Sequence, residues 1–192
     1  MSSPERKVIQ VTKFLAQETG DIRGKLTCYP TSIVNAAIAL EVVTTEEARI
    51  AHTEIINQLI TIPDLWNGPV QIIRAQDTRI ADIIENYLPI RLGVDDSEIG
   101  RLMNVPRTYT QIYQNLLERR QAHVIIVPDR AHAYAVIGAR QEGLAYIDPF
   151  DPYTIHVGSE EWFKKNFQPD NDGCFGTTPV RQRVRVLGVY ET

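Results

Sequence analysis

Three residues of the types that catalyse acyl transfer occur in this chain in the order cysteine, histidine, aspartate. Cys28 stands two residues before a proline, His132 opens a run of alternating apolar residues, and Asp148 is followed directly by Pro149. A thiolate attacks a carbonyl carbon when a histidine within hydrogen-bond reach takes its proton and a third group orients the imidazole. These residue types therefore support nucleophilic catalysis through a covalent acyl-enzyme.

The stretch after Cys28 predicts a buried helix that extends to Leu40. Pro30 suits the first helical turn, where its missing N–H costs nothing. The residues that follow are apolar on nearly every side, which is typical of a helix buried all round. A cysteine at the N-terminus of such a helix lies at the positive end of the helix dipole, which favours the thiolate over the thiol. Without a base, however, Cys28 is an inert buried thiol.

Of the four histidines, His132 is the strongest candidate for the general base. It follows a turn and starts a strand, on which it shares one face with every second residue. His52 lies on a polar segment of a helix and is predicted to be a surface residue. His123 starts a strand and has no obvious acidic partner, and His156 lies late in another strand.

Asp148 is the candidate that orients the histidine. It ends the strand after His132, and the turn between the two strands centres on Glu142. His132 lies about ten residues before that centre and Asp148 about six after it, so the two are a few residues short of direct opposition. A hydrogen bond between them then requires a β-bulge or a longer reach. The alternative is that Asp148 and Pro149 form a turn with no role in catalysis.

The elements that must position these residues are predicted to be helices first and antiparallel strands second. The predicted helices begin near Pro4, Cys28, Thr45, Thr78, Thr110 and Ser159. The predicted strands are Ile90–Val94, His123–Val127, His132–Ala139, Leu144–Asp148, Tyr153–Val157 and Val180–Tyr190. Segregated elements of this kind indicate an α+β fold rather than an alternating parallel sheet. A length of 192 residues fits one domain, with a mainly helical lobe over 1–121 and a mainly β lobe over 122–192.

Three motifs in this order carry a resemblance to a known family: CYPTS at 28–32, HAYAVIG at 132–138 and YIDP at 146–149. They resemble the motifs of papain-like cysteine peptidases. The closest branch contains the leader peptidases that trim double-glycine signals and the bacterial domains similar to them. That branch has Cys-Gly-Pro-Ala-Ser at the nucleophile, a histidine before alternating apolar residues, and a strand that ends in Asp-Pro. The resemblance spans about residues 21–167, most of the chain.

The resemblance implies a papain-like fold, in which a central nucleophile helix of a helical lobe packs on an antiparallel sheet. It implies that Cys28 is the nucleophile, that His132 is the general base and then the acid, and that Asp148 orients the imidazole. The backbone N–H of Cys28 would stabilise the oxyanion. The implied reaction is hydrolysis of a peptide or isopeptide bond in a peptide or protein substrate, with no cofactor. The same triad also supports deamidation and acyl transfer to amines.

The chain departs from the family at the second oxyanion donor, which the family supplies from a glutamine about six residues before the cysteine. Ile22 stands at that position here, and the nearest upstream glutamine, Gln17, has neighbours that do not match. Losing one oxyanion donor typically lowers the rate on the order of a hundredfold or more. Nearby candidates for a substitute donor are Arg23, Lys25 and Thr27.

Tyr29 is a second departure, because the family has glycine beside the nucleophile. A tyrosine there would crowd the cleft, which narrows specificity or blocks an ordinary peptide. Together with Ile22, this residue supports an alternative from another class: a binding or scaffold domain that kept the fold and lost activity. Against that alternative stands the retention of all three residues of the triad.

Composition argues against several other classes of protein. The chain is 43% apolar and 23% charged with a net charge of −4, ordinary for a soluble globular protein and with no indication of a nucleic-acid partner. No apolar run approaches a membrane span, and the first ten residues lack the apolar core of a signal peptide. Two cysteines are too few for a disulfide scaffold, so a reducing, cytoplasmic location is expected. Cys174 with Cys28 and a histidine could ligate metal, but no paired ligand spacing predicts a zinc site.

Overall fold

The computed structural model describes residues 7–17, 27–62, 78–94, 108–118, 121–127, 132–167 and 185–192. Within these ranges the helices are α1 (Cys28–Ala39), α2 (Thr45–Leu59), α3 (Thr78–Tyr87), α4 (Tyr109–Glu118) and α5 (Glu160–Phe167). The strands are β1 (Lys7–Gln10), β2 (Ile90–Val94), β3 (Gln121–Val127), β4 (His132–Arg140), β5 (Gly143–Asp148), β6 (Asp151–Gly158) and β7 (Arg185–Glu191).

All seven of these strands join one sheet in the order β1-β6-β5-β4-β3-β7-β2. Every neighbouring pair is antiparallel. The predicted α+β class is therefore confirmed. The two outermost described strands, β1 and β2, come from the first half of the chain, so the sheet draws on both predicted lobes.

Helix α1 is the buried centre of one layer. Every residue from Cys28 to Ile38 is buried, as the apolar run predicts. The helix packs on β4, β3 and their neighbours, where the facing side chains include Ala133 and Ala135. Alanines at these positions let the helix axis come close to the sheet, which brings the N-terminus of α1 against the start of β4.

Helices α4 and α5 cover the opposite face of the sheet. Side chains alternate across a strand, so the residues between the alanines of β4 point away from α1. Val136 packs there in a second core with Ile112 of α4 and Phe163 of α5. The sheet thus lies between two helical layers, with α1 on one face and with α4 and α5 on the other.

The N-terminal segment does not form the predicted helix. Residues 7–10 are strand β1, which pairs with β6, and residues 11–17 contain no helix. The side chain of Asn35 on α1 binds both backbone groups of Leu15: Leu15 N donates to Asn35 Oδ1 at 2.8 Å, and Asn35 Nδ2 donates to Leu15 O at 2.9 Å. These bonds and the pairing with β6 satisfy backbone groups that a helix would otherwise satisfy internally, so the helix prediction is wrong.

No helix in the described ranges is long and apolar enough to cross a membrane.

Candidate active site

His132 and Asp148 meet at one end of the sheet. Nε2 of His132, the first residue of β4, lies 2.8 Å from Oδ1 of Asp148, the last residue of β5. The register between the two strands shifts by one residue between Val136 and Gly138. Beyond this shift Ala135 pairs with Ile147, so Asp148 is still short of direct opposition to His132 and the side chains span the remaining distance. The predicted contact is confirmed, and both alternatives named for it, a register irregularity and a longer reach, contribute.

The Asp148 carboxylate is held in its ionised form. Burial raises its pKa, but the hydrogen bond and charge of His132 and the bond from the backbone N–H of Phe150 outweigh burial and lower the pKa below its usual value. Phe150 N donates to the same Oδ1 at 2.9 Å. Because an ionised carboxylate only accepts, Nε2 of His132 carries the proton. In the neutral imidazole, Nδ1 is then the basic nitrogen.

Two aromatic rings fix the plane of the His132 imidazole. Phe150 stacks on it with ring centroids 4.8 Å apart and an interplanar angle of 24°. Tyr134 meets it edge-on at 4.6 Å and 87°. The Phe150 side chain is nevertheless 60% exposed, so this ring lies between solvent and the imidazole. Such packing restricts the rotamers of His132 and supports a single orientation of Nδ1.

Cys28 lies at the start of α1 beside this pair. Its thiol hydrogen-bonds with the backbone of Ala133, the residue that follows His132, and with the backbone of Tyr29. Ser32, one turn further along α1, donates from Oγ to the carbonyl oxygen of Ala133 at 3.1 Å. The helix N-terminus and the start of β4 are thus joined at two points, which place Cys28 next to the residue that follows His132.

The thiol of Cys28 is not the expected thiolate. Its side chain is 0% exposed, and burial raises its pKa from an ordinary value of 9.0 to about 11, with a smaller contribution from the negative charge of Asp148. The hydrogen bonds with the backbone of Ala133 and Tyr29 lower the pKa, but by less than burial raises it. The prediction from the helix dipole is therefore wrong for this conformation, because desolvation of the charged form outweighs the dipole.

Alkylation of Cys28 by iodoacetamide tests this arrangement. At pH 7 the native protein is expected to react at Cys28 at least about a hundredfold more slowly than an unperturbed thiol, because the thiolate is scarce and the sulfur is covered. The rate is expected to rise with pH up to about 11. Peptide mapping by mass spectrometry gives the rate at Cys28, and the protein unfolded in urea supplies the reference. Rapid native alkylation near pH 6 would contradict the prediction.

The other predicted site residues lie as follows. Thr27 is the buried N-cap of α1 and makes no side-chain capping bond. Tyr29 is buried in the main core with the apolar face of α1, so its ring packs inside the protein. Ile22, Arg23, Lys25 and Cys174 lie outside the described residues.

Gln17 is the residue that sequence analysis set aside and the structure brings to the site. It is buried, and its backbone N–H donates to the carbonyl oxygen of Pro149 at 2.9 Å. Pro149 directly follows Asp148, so Gln17 lies against the end of β5 that carries Asp148. Gln17 lies eleven positions before Cys28, whereas the family's glutamine lies about six positions before it. A search that allowed a longer connection before the cysteine would have retained it.

His52 is buried rather than exposed, so the surface prediction is wrong. Its side chain is 6% exposed, and Nε2 lies 2.8 Å from Oγ1 of Thr31, one helical turn after Cys28. Burial lowers the pKa of His52 to about 4. The residue shares a stripe of α2 with buried apolar neighbours three to four positions away, at Ala48 and Ile55. The polar residues beside it in sequence hid this spacing.

His123 and His156 are also buried. Neither ring nitrogen of His123 has a hydrogen-bond partner among the residues that the structure describes, and burial lowers its pKa to about 3. Nε2 of His156 lies 3.5 Å from Oδ2 of Asp151. Burial thus keeps His123 neutral, and His156 lies near the carboxylate of Asp151.

Comparison with known proteins adds no assignment to this geometry: no family model, no curated protein and no solved structure matches the chain. Over the described ranges, no group of three or more histidine, cysteine, aspartate or glutamate side chains is arranged to hold a metal ion.

Proposed function

We propose that this protein is a thiol-dependent hydrolase with a papain-like fold that cleaves a peptide or isopeptide bond. One observation carries the proposal: Nε2 of His132 is bound to Asp148, and the thiol of Cys28 lies against the backbone of the next residue, Ala133. Nucleophile, base and orienting carboxylate are the three parts that covalent acyl transfer requires.

In the proposed reaction, Nδ1 of His132 takes the proton of Cys28 as the sulfur attacks the substrate carbonyl carbon. The oxyanion accepts hydrogen bonds from the backbone N–H of Cys28 and, we propose, from the side-chain amide of Gln17. The tetrahedral intermediate collapses to a thioester as the imidazolium gives its proton to the leaving amine. Water then attacks the thioester, with His132 again taking a proton, and the acid product and free thiol are released.

The raised pKa of Cys28 fits this order of events. A thiol with a pKa of about 11 is protonated in the resting protein, which protects it from adventitious electrophiles. Because the sulfur is 0% exposed, a substrate reaches it only after the covering residues move. The thiolate therefore forms during attack, by transfer to His132, rather than before substrate binds.

The second candidate is a binding domain without catalytic activity. The specific observation in its favour is the same complete burial of the Cys28 thiol, which suits a core residue as well as a protected nucleophile. The two candidates differ in one respect: only the hydrolase forms a covalent bond between Cys28 and a substrate carbonyl.

The experiment is therefore a search for a thioester at Cys28. The wild type is incubated with a library of peptides and branched isopeptides, quenched in acid, and mapped by mass spectrometry while turnover is recorded. The matched controls are Cys28→Ala and Cys174→Ala, each of which removes one of the two thiols. The hydrolase predicts an adduct and turnover in the wild type and in Cys174→Ala, but not in Cys28→Ala. Turnover that does not exceed the background without protein, or binding of library members with no adduct, would favour the binding domain.

A further inference from the structure

A cavity of about 370 Å³ opens at the end of the sheet opposite to His132. It lies where the turn between β4 and β5 meets the first turns of α4 and α5, and its lining includes Tyr109, Thr110, Tyr113, Gln141, Glu142 and Glu160. His132 and Arg140 are the first and last residues of β4. Eight residue steps along a strand separate them by roughly 26 Å. The cavity is therefore separate from the thiol site.

The two tyrosine rings of the cavity are held in place by bonds to the backbone. Tyr113 donates from its hydroxyl to the carbonyl oxygen of Arg140 at 2.9 Å. Tyr109 hydrogen-bonds with the backbone of Leu144 and packs on Phe163 with ring centroids 5.7 Å apart. The two rings are stacked at 6.3 Å with an interplanar angle of 25°. Both tyrosine rings are thus held in place before a ligand binds, which lowers the entropy cost of binding.

The charge at this cavity is negative. Glu142 and Glu160 line it together with the two rings, and its described lining includes no lysine or arginine. Burial and then the charge of Glu160 raise the pKa of Tyr109 to about 12, so the ring stays neutral. Glu160 also stands in the first turn of α5, where a carboxylate is favourable on its own.

We propose that this cavity binds an organic cation, namely an alkylammonium or guanidinium group. The faces of tyrosine rings attract such cations, and carboxylates at the rim complete their hydrogen bonds. A volume of about 370 Å³ accommodates a lysine or arginine side chain, or a free small cation of the same chemistry. The proposal uses none of the residues of the candidate active site and does not rest on the proposed hydrolase activity.

Calorimetric titration with two matched compounds tests the proposal. N-acetylarginine amide carries the cation, and the amide of N-acetylcitrulline has nearly the same shape without the charge. The arginine compound is expected to bind at least tenfold more tightly than the citrulline compound. Glu142→Gln and Glu160→Gln are each expected to weaken its binding at least threefold, and Tyr113→Leu is expected to weaken it further. The matched control is Glu54→Gln on the exposed face of α2, which is expected to change nothing.

The same titration with a short Gly/Ser peptide carrying one central arginine separates the two sources of the cation. Tighter binding of the peptide than of the amide identifies a protein side chain as the ligand, and equal binding identifies a free small cation. Both outcomes support a cation site. Equal affinity for the arginine and citrulline compounds, or unchanged affinity in both glutamate variants, would overturn the proposal. A shift of the Tyr109 and Tyr113 ring signals in NMR spectra locates the binding.

Discussion

The His132→Ala variant is expected to turn over any substrate of the wild type at least about a thousandfold more slowly. Without the imidazole, the proposed reaction loses its general base, and the Cys28 pKa of about 11 leaves almost no thiolate at neutral pH. A cysteine with an intrinsically low pKa would retain part of its reactivity after the same substitution. The size of the loss thus depends on the burial that the structure shows.

Imidazole added to the His132→Ala variant distinguishes catalysis from support of the fold. The substitution leaves a space between the rings of Phe150 and Tyr134, which both contact His132 in the wild type. Free imidazole is expected to restore part of the rate in a concentration-dependent way, with a pH profile that follows its own pKa. The matched control is His156→Ala, which removes another buried histidine. A loss in His132→Ala that imidazole never restores, with an equal loss in His156→Ala, would assign His132 a structural role only.

The sequence predicted the part of the site that depends on local pattern. The run after Cys28 identified α1, and the alternation after His132 identified β4. Counting from the turn at Glu142 also predicted that Asp148 meets His132 only through a bulge or a longer reach of the side chains. Each of these features is set by residues close together in the chain, so period and turn position were sufficient.

The features that sequence analysis missed depend on partners far along the chain. The apolar spacing from Val11 to Leu15 is that of a helix, yet pairing of β1 with β6 and the amide of Asn35 hold this segment extended or irregular. The state of the Cys28 thiol is set by its burial in the core that α1 forms with the sheet, which outweighs the helix dipole that the sequence indicated. Helix propensity and the helix dipole each contribute about a kilocalorie per mole, and the free energy of burial in the tertiary structure is larger.

The second large effect is expected in stability: the folded protein should lose several kcal/mol of its free energy of unfolding between pH 6.5 and pH 4. His52 and His123 are buried and neutral, with pKa values lowered to about 4 and about 3. In the unfolded chain both have a pKa near 6.5, so over this range the unfolded state binds more protons and stability falls as pH falls. Each histidine contributes a loss of about 3 kcal/mol by pH 4. Together they approach the whole stability of a typical domain.

Urea denaturation of the wild type at pH 7, 5.5 and 4 measures this loss, and His52→Gln measures the share of one histidine. Glutamine keeps a polar group near Oγ1 of Thr31 but does not titrate, so this variant is expected to lose about 3 kcal/mol less than the wild type over the same range. Asp148 acts in a separate window: its pKa is lowered in the folded state, so the stability it contributes is lost only below about pH 4. The matched control, Glu54→Gln, carries its substitution at an exposed position on the same helix and is expected to follow the wild type. Equal free energies of unfolding at pH 7 and pH 4 in the wild type would show that His52 and His123 are not held neutral in the core.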